Sequence, residues 1–212
     1  MITMNTELFS KLLALILLYL YKVPQNKVTP VLREISSAGT ISPIDRENIN
    51  IILSGISSEL PEIKDNDWDI GQKIYNDNIE NNINILVLTG EGYPKFLRVI
   101  KDAPPLLFIK GNLEILNKLP GVAIVGARET SKNGIEIAKR LAAYAVENDW
   151  VVVSGLALGI DAAAHTGTLS AGGKTVAVLA SGLDKATPAK NSALPASSAI
   201  RYPGSRPIEV IH

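Results

Sequence analysis

From Ile83 onward the chain is written in short apolar runs, each cut off by glycine, proline or a polar turn: Ile83 to Leu88, Leu106 to Ile109, Val122 to Val125, Val151 to Val153 and Thr175 to Leu179. Such runs, rich in Val, Ile and Leu and lacking polar alternation, suit strands covered on both faces, the condition of a parallel sheet. Helical patterns lie between the last three. Ile137, Ala138, Leu141, Ala142, Ala145 and Val146 fall on one stripe after Ser131, which is placed to cap the helix, and Ala162 to Leu169 reads as a second, alanine-rich helix. Strand, helix, strand, helix, strand is a right-handed parallel series. The predicted class is therefore α/β, a Rossmann-like parallel sheet, and three central strands make it small for its class.

Ahead of the sheet, residues 1–60 read as a small all-helical domain. Asn5 and Thr6 can cap a helix through Leu8, Leu12, Leu15 and Tyr19 that Pro24 ends; a second helix covers Val31 to Ser37 before Gly39, and a third begins near Asp45. Residues 61–82 read as a connector with one amphipathic helix, residues 83–191 as the sheet domain, and residues 192–212 as a tail rich in Pro, Ala and Ser with no strand or helix of useful length. The apolar stretch Leu12 to Tyr21 is too short to span a bilayer, which takes about 20 residues. The run after it, Lys22 to Lys27, lacks a small-residue cleavage site, so the stretch is read as a buried helix rather than an export signal.

Composition narrows the function. Twenty-one basic and 21 acidic residues cancel, so any nucleic-acid site must be a local patch. The chain has no cysteine, which excludes disulfides, thiolate zinc sites and a cysteine nucleophile, and fits a reducing compartment.

In a doubly wound sheet, ligands bind beyond the carboxyl ends of the strands. Three loops belong there. The first runs from Gly126 through Arg128 and Ser131 to Gly134: its glycine permits close backbone approach, and its arginine offers a phosphate a planar fork of donors. The plainer reading is a solvated arginine in a turn, or one paired with Glu129, Asp161 or Asp184 to hold the loops together. The second runs from Ser154 and Gly155 through Gly159 to Asp161 and His165. Two glycines four apart at a helix start can form an anion-binding nest, with the Ser154 hydroxyl as an extra donor. It matches neither the dinucleotide nor the phosphate-hydrolysing glycine signature. Asp161 reads as a helix cap rather than a catalytic base. His165, one turn on, can meet it and reads as structural rather than ligand-contacting. The third loop holds Gly182, Asp184 and Lys185 and runs on to Lys190 and Asn191, with Asp184 a turn residue. Lys174 precedes its strand, lies at the opposite end of the sheet, and is left out of the site.

Taken together, these segments resemble the DprA/Smf family. The resemblance runs from about Tyr93 to Asn191. Tyr93 to Leu97, Ala103 to Asn112, Val125 to Arg128, Ser154 to His165, and Gly182 to Asp184 occur in the family's order. Each piece alone is weak and the combination is specific. The helical segment corresponds by position to the family's helix-hairpin-helix-like N-terminal domain. The resemblance implies a cytoplasmic, non-enzymatic protein without cofactor that binds single-stranded DNA, forms homodimers and loads RecA recombinase during natural transformation, with Arg128 in a basic pocket for DNA phosphates. This chain departs from the family at Thr187 to Asn191, where Ala189 occupies the usual lysine position. The family's later strands, its F-P-x-R-N-R-type motif and its C-terminal winged helix find no match, so a short or truncated form is expected. The competing class is a nucleotide-binding or nucleotide-hydrolysing protein related to the phosphoribohydrolases, but their P-G-G-x-G-T loop is missing. A third reading is an unstable remnant, which cooperative unfolding would exclude.

Overall fold

A computed structural model of the chain describes residues 6–37, 46–117, 120–179 and 198–201. Two compact units emerge, Met1–Leu107 and Phe108–His212. The division falls later than the boundaries read at 60 and 82, because the first strand packs with the helices that precede it.

In the first unit, α1 (Thr6–Leu15) continues as a π-helical turn, Ile16–Leu20. Leu12 to Leu18 are buried, which accounts for the apolar stretch as helix core. No helix among the described residues is long and apolar enough to cross a membrane. α2 spans Gln25–Ser37, starting six residues before the predicted Val31. The helix therefore contains Pro30, which removes one intrahelical bond. Buried Val28, Val31, Leu32 and Ile35, with a Thr29 hydroxyl bond to the Ala103 carbonyl (3.3 Å), outweigh that loss. α3 (Arg46–Ile56) and α4 (Asp65–Glu80) follow. α4 brings Trp68 against Phe9, ring centres 4.9 Å apart. Its start is held by the Asp67 carboxylate, which accepts from the Lys64 N–H (2.7 Å) and the Tyr21 hydroxyl (2.6 Å). Burial and that carboxylate push the Tyr21 hydroxyl up to about 12.

β1 (Asn84–Val87) packs against α1 and α4, and the Leu88 N–H donates to the Pro105 carbonyl (3.0 Å). Just before the single turn α5 (Lys95–Arg98), the motif residue Tyr93 is explained by structure: it is buried and its hydroxyl donates to the Pro104 carbonyl (2.7 Å).

The second unit is built on β2 (Leu106–Gly111) from Phe108 onward, β3 (Gly121–Ala123), β4 (Val151–Ser154), β5 (Thr175–Leu179) and β6 (Ser198–Arg201), in spatial order β2-β6-β5-β4-β3. β3, β4, β5 and β6 run parallel, with Val122 opposite Val152, Val153 opposite Val176, and Ala177 opposite Ala199. β2 pairs antiparallel with β6, Ile109 opposite Ile200. The crossovers are α6 (Lys132–Glu147) and α7 (Ile160–Ser170), which pack on each other and on β4. Their core joins Ala142, Ala145, Val152 and Ala164, with Val122 and Ile124 against it. Gly167 lets the helices close: a Cβ there would stand 2.7 Å from the Lys139 α-carbon.

Two expectations are corrected. Val122 to Val125 is not a strand buried on both faces. β3 is an edge strand, Ala123 is exposed and Val125 is 68% exposed, because α6 and α7 share one face and leave the other uncovered there. The tail also contains a strand: Ser198–Arg201 enters the sheet between β5 and β2, so β5 is an interior strand rather than an open edge.

Candidate nucleic-acid interface

The first two loops leave the carboxyl ends of adjacent strands and are tied to each other. The Ile124 N–H donates to the Val153 carbonyl (3.1 Å), extending the β3–β4 ladder by one residue. The Ser154 hydroxyl, 2% exposed, donates to the Ile124 carbonyl (2.6 Å). A hydroxyl has one proton. Ser154 is therefore a strand-to-strand tie, not the extra ligand donor that its position suggested.

Asp161 is the second residue of α7 and 6% exposed. Its Oδ1 accepts from the Gly126 N–H (3.3 Å) and its Oδ2 from the Gly155 N–H (3.1 Å). The cap reading is corrected accordingly: the carboxylate holds amides of the preceding loops, and the N-cap position belongs to Gly159. At the other end of the first loop, the Ser131 oxygen accepts from the Gly134 N–H (3.1 Å) and caps α6.

The glycines serve this packing. A Cβ on Gly126 would meet Ile160 at 2.8 Å, and one on Gly155 would meet Asp161 Oδ2 at 2.8 Å. Gly159 adopts φ +78°, disfavoured for residues with a Cβ, and its own Cβ would strike the Ala127 and Arg128 carbonyl oxygens. The Ile160 N–H donates to the Ala127 carbonyl (3.2 Å). Ile160 thus packs on the Arg128 loop at Gly126 and Gly159 packs on it at Ala127 and Arg128, neither role being visible from spacing alone.

Arg128 sits exposed at the top of this clamp and makes no ion pair among the described residues. Of the pairings considered for it, Glu129 is exposed, Asp161 is engaged by the two amides, and Asp184 lies outside the described residues. Gly182, Lys185, Lys190 and Asn191 lie outside them too.

His165 is fully buried. Its Nδ1 lies 2.8 Å from the Thr175 hydroxyl, which donates to the Val152 carbonyl (2.8 Å). With that hydroxyl proton committed, Nδ1 carries the imidazole proton and donates to the threonine oxygen. Nε2 has no hydrogen-bond partner among the described residues. Burial holds the imidazole below its usual 6.5, against the opposing pull of the Asp161 charge. The hydrogen bond expected toward Asp161 thus goes to Thr175, a partner ten residues ahead.

The family model for DNA recombination-mediator protein A matches residues 84–200, from the first residue of β1 into β6. The chain belongs to the DprA/Smf family. It is 51% identical over 102 residues to DNA processing protein DprA of Streptococcus pneumoniae, covering 48% of this chain and 36% of that protein. Against DNA processing protein DprA of Bacillus subtilis the identity is 36% over 112 residues, 53% of this chain and 38% of the relative. The matched segment therefore spans little more than a third of these relatives. Among solved structures, DNA processing protein A from S. pneumoniae matches with a TM-score of 0.68 at 28% identity, over 98% of this chain and 71% of that one. DNA processing protein A from Helicobacter pylori, solved for its single-stranded DNA binding mode, matches with a TM-score of 0.50 at 26% identity, over 60% of this chain and 59% of that one. The fold is the Rossmann-like α/β fold of DprA.

Proposed function

We propose that this chain binds single-stranded DNA at the carboxyl edge of its parallel sheet, with Arg128 as the principal phosphate contact, and that it acts as a recombination mediator rather than as an enzyme. The observation that carries this is the exposed guanidinium of Arg128, without an ion pair among the described residues, on a loop clamped by Asp161 and Gly159. A rigidly presented arginine offers a phosphate two parallel N–H groups and stays charged at any working pH. The H. pylori relative's single-stranded DNA binding mode supports the ligand class.

Gly126, Gly155 and Gly159 shape the surface and Ser131 fixes the start of α6 beside it; Gly182, Lys185, Lys190 and Asn191, which lie outside the described residues, complete the proposed set of contacts. The non-enzymatic reading draws on Asp161: a carboxylate held by two backbone amides is already spent and is poorly suited to accept a substrate proton. Loading of a RecA-type recombinase, self-association into a dimer and a cytoplasmic site of action complete the proposal.

The test is a fluorescence-anisotropy titration with an unstructured oligonucleotide at several salt concentrations. Contacts to a few phosphates give a log–log slope of about −0.7 per phosphate, and duplex DNA binds more weakly. Salt-independent affinity, or release of base or phosphate by the pure protein, contradicts the proposal.

A further inference from the structure

Backbone N–H groups just past the carboxyl ends of parallel strands are where an open α/β sheet offers donors to an anionic ligand. Here two such donors are occupied from within. The Gly126 N–H, past β3, and the Gly155 N–H, past β4, each bond a different oxygen of Asp161. The carboxylate stands in the first turn of α7, where the positive end of the helix favours a negative charge. The enclosure is tight, since a Cβ on either glycine would collide, with Ile160 in one case and with Asp161 in the other.

We propose that Asp161 is the built-in anion of this site: a positioning residue whose carboxylate fills the place between the β3 and β4 loops that an external anion would otherwise take, and so fixes the backbone that presents Arg128. The connection is continuous. Asp161 holds Gly126, the neighbouring Ile160 N–H holds the Ala127 carbonyl, and Gly159 packs on the Arg128 carbonyl. A ligand phosphate is thereby met outside the enclosure, by Arg128, and a mononucleotide phosphate finds the enclosure closed. Only this consequence at Arg128 rests on the DNA-binding reading; the clamp stands apart from it.

The experiment uses the full chain and two variants. In Asp161→Ala, sodium formate is the probe, compared with sodium chloride at equal ionic strength. Formate raises the melting temperature of Asp161→Ala by several degrees more than chloride does, whereas the parent responds alike to both salts. Asp161→Asn, nearly isosteric, keeps the test open if the alanine variant does not fold. It retains one carbonyl acceptor but turns an amide NH2 toward the other N–H, so hydrogen exchange at Gly126 or Gly155 accelerates by about tenfold or more. Asp161→Asn weakens oligonucleotide binding about tenfold when Arg128 is present and less than about twofold in the Arg128→Ala background, since coupled residues are not additive. Equal responses of Asp161→Ala to formate and chloride overturn the built-in anion, as does unchanged exchange in Asp161→Asn. Equal losses of affinity in the two Arg128 backgrounds overturn the positioning role. A parent chain that binds no oligonucleotide overturns the DNA-binding reading instead, and the exchange and formate results still decide the clamp.

Discussion

Gly159 lies so close beneath Arg128 that a Cβ on it would stand 2.5 Å from the Arg128 carbonyl oxygen. Its φ of +78° and ψ of −123° are also a conformation that residues with a Cβ rarely adopt. Both faults fall on one substitution. Gly159→Ala should therefore destabilise the fold by at least about 2 kcal/mol, combining backbone strain with displacement of the loop. Urea denaturation measures it, and a parental midpoint would mean that the loop does not pack as described.

Gly167 makes a similar claim at the crossing of α6 and α7. Alanine improves helix propensity by up to about 1 kcal/mol over glycine, but here the new methyl group would press on the Lys139 backbone, 2.7 Å from its α-carbon and 2.8 Å from its carbonyl oxygen. Backbone cannot rotate aside as a side chain can. The clash should win, giving a net loss of about 1–3 kcal/mol for Gly167→Ala, read from the same denaturation curve. A gain in stability would show that the helices separate freely.

Much of this fold is legible in the sequence, and the illegible parts share a physical cause. Val151 to Val153 and Thr175 to Leu179 announce themselves as interior strands because both faces are covered, and Ser131 announces a helix start because capping is local. β6 does not: Ser198–Arg201 follows a stretch broken by proline and has no apolar run, and its strand state comes from the ladders of β5 and β2 on either side. The same distinction runs through the site. Arg128 can be singled out from its position after a strand, but the partners of Asp161 and Ser154 lie 35 and 30 residues earlier in the chain, at Gly126 and Ile124. No spacing rule reaches that far. Glycine, too, is ambiguous: a ligand approaching the backbone and a neighbouring chain segment demand it alike, and here at Gly126, Gly155 and Gly159 the neighbour is the protein itself.

His165 makes stability depend on pH. Burial depresses its folded value below 6.5, so in the window beneath 6.5 the unfolded chain binds a proton that the folded chain refuses. The contribution is fully present above pH 6.5 and is lost as pH falls toward the folded value. The parent should lose stability relative to His165→Gln between pH 7.5 and 5.5, the difference steepening toward about 1.4 kcal/mol per pH unit. Parallel stability curves for the two proteins would mean that the imidazole takes up its proton as readily in the fold as in the unfolded chain, contrary to its burial and its bond to Thr175.

Arg128 carries the functional reading, so its variants must separate binding from folding. Its side chain is exposed and makes no ion pair among the described residues, whereas the loop beneath it is held by backbone contacts that do not involve the guanidinium. Arg128→Ala should therefore leave the melting temperature nearly unchanged while weakening single-stranded DNA binding by about 1.5–3 kcal/mol, the range for hydrogen bonds to charged groups. Arg128→Lys should recover only part of that loss, because a point charge cannot reproduce a planar fork of donors. A solvated, idle arginine predicts no change in affinity. An arginine that ties the loops together predicts that stability and affinity fall in parallel, with rescue by charge reversal at its partner. Melting temperature and anisotropy measured on the same preparations distinguish the three cases, and an Arg128→Ala protein that binds as tightly as its parent removes the assignment of this edge as the DNA site.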